Sequence, residues 1–248
     1  MRERAPRGRI VLAGSGEFSP AMAGLDFALL GGSDHSARVA IVPAASVTED
    51  EAGERTETGV AHFRALGAAP FPVMVRTRED AADARHAAAL ADADWIYFSG
   101  GDPSPALAAL ADTPFWRAVV GRHAAGALVA GSSAGAMILG ERTIVPIDRA
   151  PGTLVPRDVA IRPGLGLLPG ILVFPHFDAI PEPVVARWRH LWPAGLRLLA
   201  LDEDTAIVSD EAGWAVHGAG RALILRDPET RRAFAAGTTI PASFLPLR

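Results

Sequence analysis

Residues 127 to 136 read Ala-Leu-Val-Ala-Gly-Ser-Ser-Ala-Gly-Ala, an apolar run that passes straight into a turn of tiny residues with Ser133 at its apex. The run predicts a buried strand, and the turn predicts a sharp reversal into a helix beginning near Ala134. At such an elbow Gly131 and Gly135 are needed because a side chain at either position would meet the facing backbone. The hydroxyl of Ser133 is then exposed, and the first N–H groups of the helix point toward it, as a developing oxyanion requires. The competing reading is an ordinary flexible turn or a phosphate cradle.

The absent residue types narrow the chemistry. The sequence contains no Cys, Lys, Asn or Gln, so all 24 basic residues are Arg. Without Lys there is no Schiff base, no Ser-Lys dyad and no phosphate loop of the Gly-Lys-Ser type. Without Cys there is no thiolate nucleophile, thiolate metal site or disulfide. Ser, Thr, His, Asp, Glu, Arg, Tyr and backbone N–H groups must carry any catalysis. Loss of Asn, Gln and Cys is one signature of a hot-living source, and a GC-rich genome produces the same bias.

At 248 residues and 49% hydrophobic, the chain can bury a large core, and one α/β domain over residues 1–248 is the simplest count. A net charge of −4 and no clustered basic stripe give no electrostatic reason to expect nucleic acid. The basic segment Met1–Arg9 leads only into a short strand, Ile10–Ala13, which reads as cytoplasmic rather than as a signal peptide. No apolar run approaches the ~18 residues that cross a bilayer. The longest candidate, Leu165–Phe174, is broken by Pro169 and Gly170, so no membrane partner is expected.

Short runs rich in Val, Ile and Leu alternate with Ala-rich helical stretches, the pattern of a mostly parallel sheet with helices on both faces. The expected strands of the main sheet are Ile10–Ala13, Val39–Pro43, Phe71–Val75, Trp95–Phe98, Ala127–Ala130 and Ile171–Phe174. Glu51–Leu66, Arg78–Ala91 and Ser104–Ala111 read as crossover helices, and Thr113-Pro114 starts another that ends near Gly121. After Leu198 the texture changes. Leu198–Leu201, Ala206–Ser209, Trp214–Val216 and Ala222–Leu225 are closely spaced and predict C-terminal antiparallel hairpins on the sheet edge. Those hairpins are one surface through which a homodimer could form, and no sequence pattern decides it.

Ligands of an open parallel sheet bind beyond the carboxyl ends of its strands. Ser133 follows one strand, Ser99-Gly100-Gly101-Asp102 another, and Pro175-His176-Phe177-Asp178 a third. Gly100 and Gly101 let backbone approach a substrate, and the N–H groups of Gly101 and Ala134 would form an oxyanion hole without any side-chain amide. A tight strand-to-helix turn is the plain alternative for the glycine pair. A serine hydroxyl needs a base with a pKa near neutrality. Among the seven histidines, His35, His62, His86, His123, His190 and His217 sit in turns, helices or an edge strand, whereas His176 alone directly follows a buried strand. A carboxylate should orient its imidazole, from Glu141, Asp148, Asp178 or Glu203. Glu141 is expected at the far end of the helix after Ser133, more than ~10 Å along its axis. Asp178 is expected to point elsewhere along extended chain. Asp148, in the irregular stretch Thr143–Arg149, can fold back over the site and is the favoured third group. No His-Glu-x-x-His or Cys spacing implies a metal, and no cofactor is implied.

These motifs together resemble the aspartyl dipeptidase (dipeptidase E) and cyanophycinase family of serine peptidases, on a class I glutamine amidotransferase-like fold. The resemblance is carried in order by Gly14-Ser15-Gly16-Glu17, Gly100-Gly101-Asp102, Gly131-Ser132-Ser133-Ala134-Gly135-Ala136, His176-Phe177 and Asp202-Glu203-Asp204-Thr205-Ala206. It implies Ser133 as nucleophile and His176 as base. Asp148 lies 15 positions after Ser133, where the dipeptidase branch places its acid. It also implies that Gly100, Asp102 and Glu203 line the substrate site, with Glu203 meeting the free amino group of a substrate aspartate.

Where cyanophycinases carry Gln beside the His and after Gly-Gly-Asp, this chain has Pro175 and Pro103, and the run of arginines after His-Phe is replaced by Asp178-Ala179-Ile180-Pro181-Glu182-Pro183. The resemblance therefore favours a small peptide or related amide over a polymer. An acidic substrate residue would need Arg, with Arg157, Arg162 and Arg187 as candidates. An esterase or other acyl hydrolase and a non-catalytic ligand-binding relative remain as alternatives. A dinucleotide site is disfavoured because Gly14-Ser15-Gly16 lacks the third glycine of the fingerprint.

Overall fold

The computed structural model describes residues 8–31, 36–148, 156, 158–210, 213–226 and 231–245, without the side chains of Asp148 and Arg189. Two sheets form its framework. In the larger, β1 (Ile10–Ala13), β2 (Arg38–Val42), β3 (Ala69–Pro72), β4 (Trp95–Phe98) and β5 (Leu128–Ser132) are parallel, in the order β1-β5-β4-β2-β3. Beyond β1 the sheet continues antiparallel through β10 (Thr205–Ser209), β11 (Gly213–Gly218) and β14 (Thr239–Pro241).

Alternation along each strand feeds two cores, because successive side chains leave a strand on opposite faces. Val11, Val39, Ile41, Trp95 and Tyr97 pack with Met22 of α1 (Pro20–Leu29) and Phe63 of α2 (Glu49–Ala65). Leu12, Val42, Ile96, Phe98 and Val129 face the other way, against α5 (Pro103–Leu110) and α6 (Pro114–Ala124). Full burial of a side chain such as Phe63 or Phe98 contributes about 1.5–3 kcal/mol, and both are at most 1% exposed. The helix expected over Arg78–Ala91 is two, α3 (Arg78–Ala82) and α4 (Ala84–Ala89). Asp83 adopts an extended conformation between them and caps α4 by accepting from the Arg85 N–H.

The second sheet corrects the sequence reading. It has the order β13-β12-β9-β8-β6-β7, with β6 (Gly140–Asp148), β7 (Asp158–Pro163), β8 (Leu168–Phe174), β9 (Arg197–Leu201), β12 (Arg221–Leu225) and β13 (Arg231–Ala235). Ile171–Phe174, expected in the main sheet, therefore belongs to this one, and the C-terminal strands divide between the two sheets. Thr143–Asp148, expected to be irregular, is the outer part of a nine-residue strand. Ile171, Val173, Leu199 and Ile224 join the main-sheet residues in one core, so the second sheet covers part of the large sheet's face in place of a helix. Its opposite face packs beneath α8 (Glu182–Trp188) through Phe174, Val185 and Trp188. β8 and β9 run parallel with Phe174 opposite Ala200, which brings the residues after their carboxyl ends side by side.

Candidate active site

At the end of β5 the chain turns through Ser133, whose φ of 51° and ψ of −120° are unusual for a residue with a side chain. Such a conformation costs on the order of 1–3 kcal/mol and persists only where its surroundings impose it. The Ser133 N–H donates to the Ala13 carbonyl at 3.0 Å. A Cβ on Gly131 would lie 2.3 Å from the Gly135 oxygen, and one on Gly135 would lie 2.2 Å from the Phe98 oxygen. The turn therefore excludes side chains at both positions. The helix that follows, α7 (Ala134–Met137), is a single turn, so the site has local N–H donors rather than a long helix dipole. Glu141 is accordingly not at a helix end but in β6, where it accepts from the Gly170 N–H at 2.7 Å.

His176 follows β8 with left-handed angles, φ 54° and ψ 34°. Its Nε2 lies 2.8 Å from Ser133 Oγ, and its Nδ1 lies 2.7 Å from Glu203 Oε1. A carboxylate can only accept, so this contact places the ring proton on Nδ1 and leaves Nε2 to accept from the hydroxyl. Glu203 is itself held, its N–H donating to Asp178 Oδ1 at 2.8 Å and its carbonyl accepting from Thr205 Oγ1 at 2.9 Å. Asp178 thus braces the carboxylate-bearing turn and does not touch the imidazole through any described hydrogen bond.

The position that the sequence reading gave to Asp148 is therefore filled by Glu203. Asp148 ends β6 opposite Asp158, and its side chain lies outside those described. His35 and Arg157 also lie outside the described residues. Arg162 is exposed on β7 and Arg187 on α8. His62 is packed in the interior, its Nε2 2.8 Å from Asp26 Oδ2.

Beside Ser133, the Gly100–Gly101 loop is anchored at both ends. Gly100 N–H donates to Glu17 Oε1 at 2.9 Å, and Asp102 N–H donates to the Ala45 carbonyl at 2.7 Å. Gly101 between them has φ 140°, and a Cβ there would lie 2.1 Å from the Ala45 oxygen. Its N–H and that of Ala134 donate to no described acceptor. Asp102 caps α5 through the Ser104 N–H at 2.8 Å and also lines the cleft. The sequence reading assigned no role to Glu17 or Arg55. Arg55 Nη1 donates to Glu17 at 3.3 Å, and Arg55 Nη2 donates to Glu51 at 3.0 Å. The Gly-Ser-Gly-Glu run after the first strand was the available signal for Glu17; Arg55 lies mid-helix with nothing local to mark it.

Two spaces open from Ser133 and His176. One, about 70 Å³, is walled by Met137, Ile144, Val159, Phe174, Ile180 and Trp188, with no Asp, Glu or Arg among its described walls. The other, about 390 Å³, is polar and includes Glu17, Glu51, Arg55 and Asp102. Behind the elbow, burial and then the charges of Asp26 and Glu17 push the Tyr97 phenol well above its ordinary pKa, so it stays neutral. Among the described residues no cluster of His, Asp and Glu is arranged to hold a metal ion, and no helix is long and apolar enough to cross a membrane.

No curated protein sequence matches the chain. Among solved structures, it is similar to a peptidase from an acI-B1 Actinobacterium, with 29% identity, a TM-score of 0.79, and coverage of 95% of this chain and 97% of that one. It also shares its fold with a putative peptidase E protein from Listeria monocytogenes EGD-e, with 18% identity, a TM-score of 0.62, and coverage of 87% and 100% of the respective chains. The mixed α/β architecture, with its large mostly parallel sheet and C-terminal antiparallel strands, is the one expected of the class I glutamine amidotransferase-like fold. Residues 10–216 match the profile of peptidase family S51, the dipeptidase E and cyanophycinase family, and the chain therefore belongs to that family of peptidases.

Proposed function

We propose that this peptidase is a serine enzyme that cleaves peptide or amide bonds of small substrates through an acyl-enzyme on Ser133. The observation that carries the reading is the continuous contact from Ser133 Oγ to His176 Nε2 at 2.8 Å and from His176 Nδ1 to Glu203 at 2.7 Å. In this mechanism His176 takes the hydroxyl proton as Ser133 Oγ bonds to the carbonyl carbon, and Glu203 stabilises the resulting imidazolium. The N–H groups of Gly101 and Ala134 receive the oxyanion. The C–N bond then breaks as imidazolium protonates the leaving amine, and a water molecule, deprotonated by His176, releases the acyl group and restores the hydroxyl.

The two spaces beside Ser133, about 70 and about 390 Å³, are of a size that supports a short substrate. Preference for an N-terminal aspartyl residue rests on the family resemblance and on Arg55, the guanidinium that lines the polar cleft. Arg55 Nε, Nη1 and Nη2 each donate one hydrogen bond to Glu17 or Glu51, which leaves a further N–H on each Nη for an aspartyl carboxylate. A second reading, a preference for an apolar residue, is favoured by the apolar walls against Ser133 and His176. The test is Ser133→Ala, assayed on Asp-X and Leu-X dipeptides beside a nitrophenyl ester. Loss of all turnover is expected. Unchanged dipeptide turnover would refute the serine mechanism, and wild-type activity on the ester alone would identify an esterase instead.

A further inference from the structure

The turn after β1 carries a carboxylate that the steps above do not use. Glu17 Oε1 accepts from the Gly100 N–H at 2.9 Å, and Glu17 Oε2 accepts from the Ser132 hydroxyl at 2.7 Å. Gly100 belongs to the loop after β4, and Ser132 immediately precedes Ser133. One side chain, 14% exposed, therefore ties the two segments together.

From this geometry we infer that Glu17 is a positioning residue that sets the separation and direction of the two oxyanion donors; the inference rests on the serine mechanism proposed above. The Gly100–Gly101 peptide hangs between two fixed amides, the Gly100 N–H on Glu17 and the Asp102 N–H on the Ala45 carbonyl. The Gly101 N–H between them is the donor left for an oxyanion. Releasing the Gly100 end would free that peptide to rotate, and a misplacement of ~1 Å in such a site can cost ~10²-fold in rate. The second oxygen fixes the other half of the hole, because Ser132 leads through Ser133 directly to the Ala134 N–H.

The local sequence is built around this bridge. A Cβ on Gly100 would lie 2.6 Å from Glu17 Oε1, so a side chain there would push the carboxylate away from that N–H. A negative charge beside a developing oxyanion opposes reaction, and Arg55 at 3.3 Å offsets it. Glutamine in place of glutamate keeps an oxygen for Gly100 and an amide that can donate to Ser132 Oγ, whereas alanine keeps neither.

The experiment compares Glu17→Ala, Glu17→Gln and wild type in kcat and KM on 4-nitrophenyl acetate, and in affinity for phenylboronic acid, whose tetrahedral serine adduct places an oxygen in the hole. For Glu17→Ala, kcat is expected to fall by about 10²-fold and boronate affinity by a comparable factor, with KM within about threefold of wild type. Glu17→Gln is expected to recover most of both losses. Should Glu17→Ala fail to fold, Ser132→Ala removes one arm of the bridge and is expected to lower kcat and boronate affinity together by about tenfold. The inference is overturned if Glu17→Ala, or in its stead Ser132→Ala, leaves kcat and boronate affinity unchanged, or if the glutamine variant is as impaired as the alanine one. Full turnover by Ser133→Ala would instead remove the serine mechanism itself, whatever Glu17 does.

Discussion

Replacing Glu203 by Gln tests which carboxylate serves the imidazole. The substitution preserves shape and removes the charge 2.7 Å from His176 Nδ1. Unit charges ~4 Å apart attract by about 1 kcal/mol in water and about 4 kcal/mol at the effective permittivity near a protein surface. The Glu203 side chain is 43% exposed and that of His176 is 17% exposed, so the pair lies between these limits. An intermediate value of ~2–3 kcal/mol, at about 1.36 kcal/mol per factor of ten, corresponds to a loss of roughly 30- to 150-fold in kcat. The charge acts mainly when imidazolium forms, so KM should change little. Steady-state kinetics on the dipeptide or ester turned over best by wild type measure the effect, with Asp148→Asn in parallel. Retention of kcat within about threefold in Glu203→Gln, alongside a large loss in Asp148→Asn, would refute the argument and return the role to Asp148.

Two further predictions concern the scaffold. Gly131→Ala places a methyl group 2.3 Å from the Gly135 oxygen, so the elbow must open at a cost of about 1–3 kcal/mol in urea unfolding; an unchanged unfolding midpoint would contradict the packing described. Burial raises the Asp26 carboxyl above its ordinary pKa, an effect the His62 contact only partly opposes. The folded chain then holds that proton more tightly than the unfolded chain, so the contribution to stability is fully present below the ordinary carboxylate range and is lost as pH rises through the elevated value. The unfolding free energy of wild type relative to Asp26→Asn should therefore increase as pH is lowered through that window, and a flat or opposite trend would contradict the assignment.

Sequence legibility followed locality. The elbow at Gly131–Gly135 and the glycine pair at 100 and 101 are visible because steric demands at a tight turn act on neighbouring residues. His176 stands out for a related reason, a buried strand ending immediately before it. The strands of the parallel half of the main sheet show the same local character, with uninterrupted runs such as Trp95–Phe98 buried throughout. The second sheet was hidden. Its strand β6 pairs with β8 beyond the intervening β7, and β9 pairs with β8 beyond α8; an apolar run alone does not say which sheet it enters.

The β8–β9 pairing also sets the place of Glu203. Glu203 lies 27 residues from His176 in sequence and comes beside it only because β8 and β9 are parallel neighbours. Glu17 is more remote still, 83 residues from Gly100 and 115 from Ser132. Residue types and turn sterics thus determined by themselves where an elbow serine, a strand-end histidine and unhindered backbone amides would occur. Which carboxylate meets which partner was decided only by tertiary structure, because hydrogen bonds of 2.7–2.9 Å depend on strand order and register, and neither is encoded in the residues adjacent to those carboxylates.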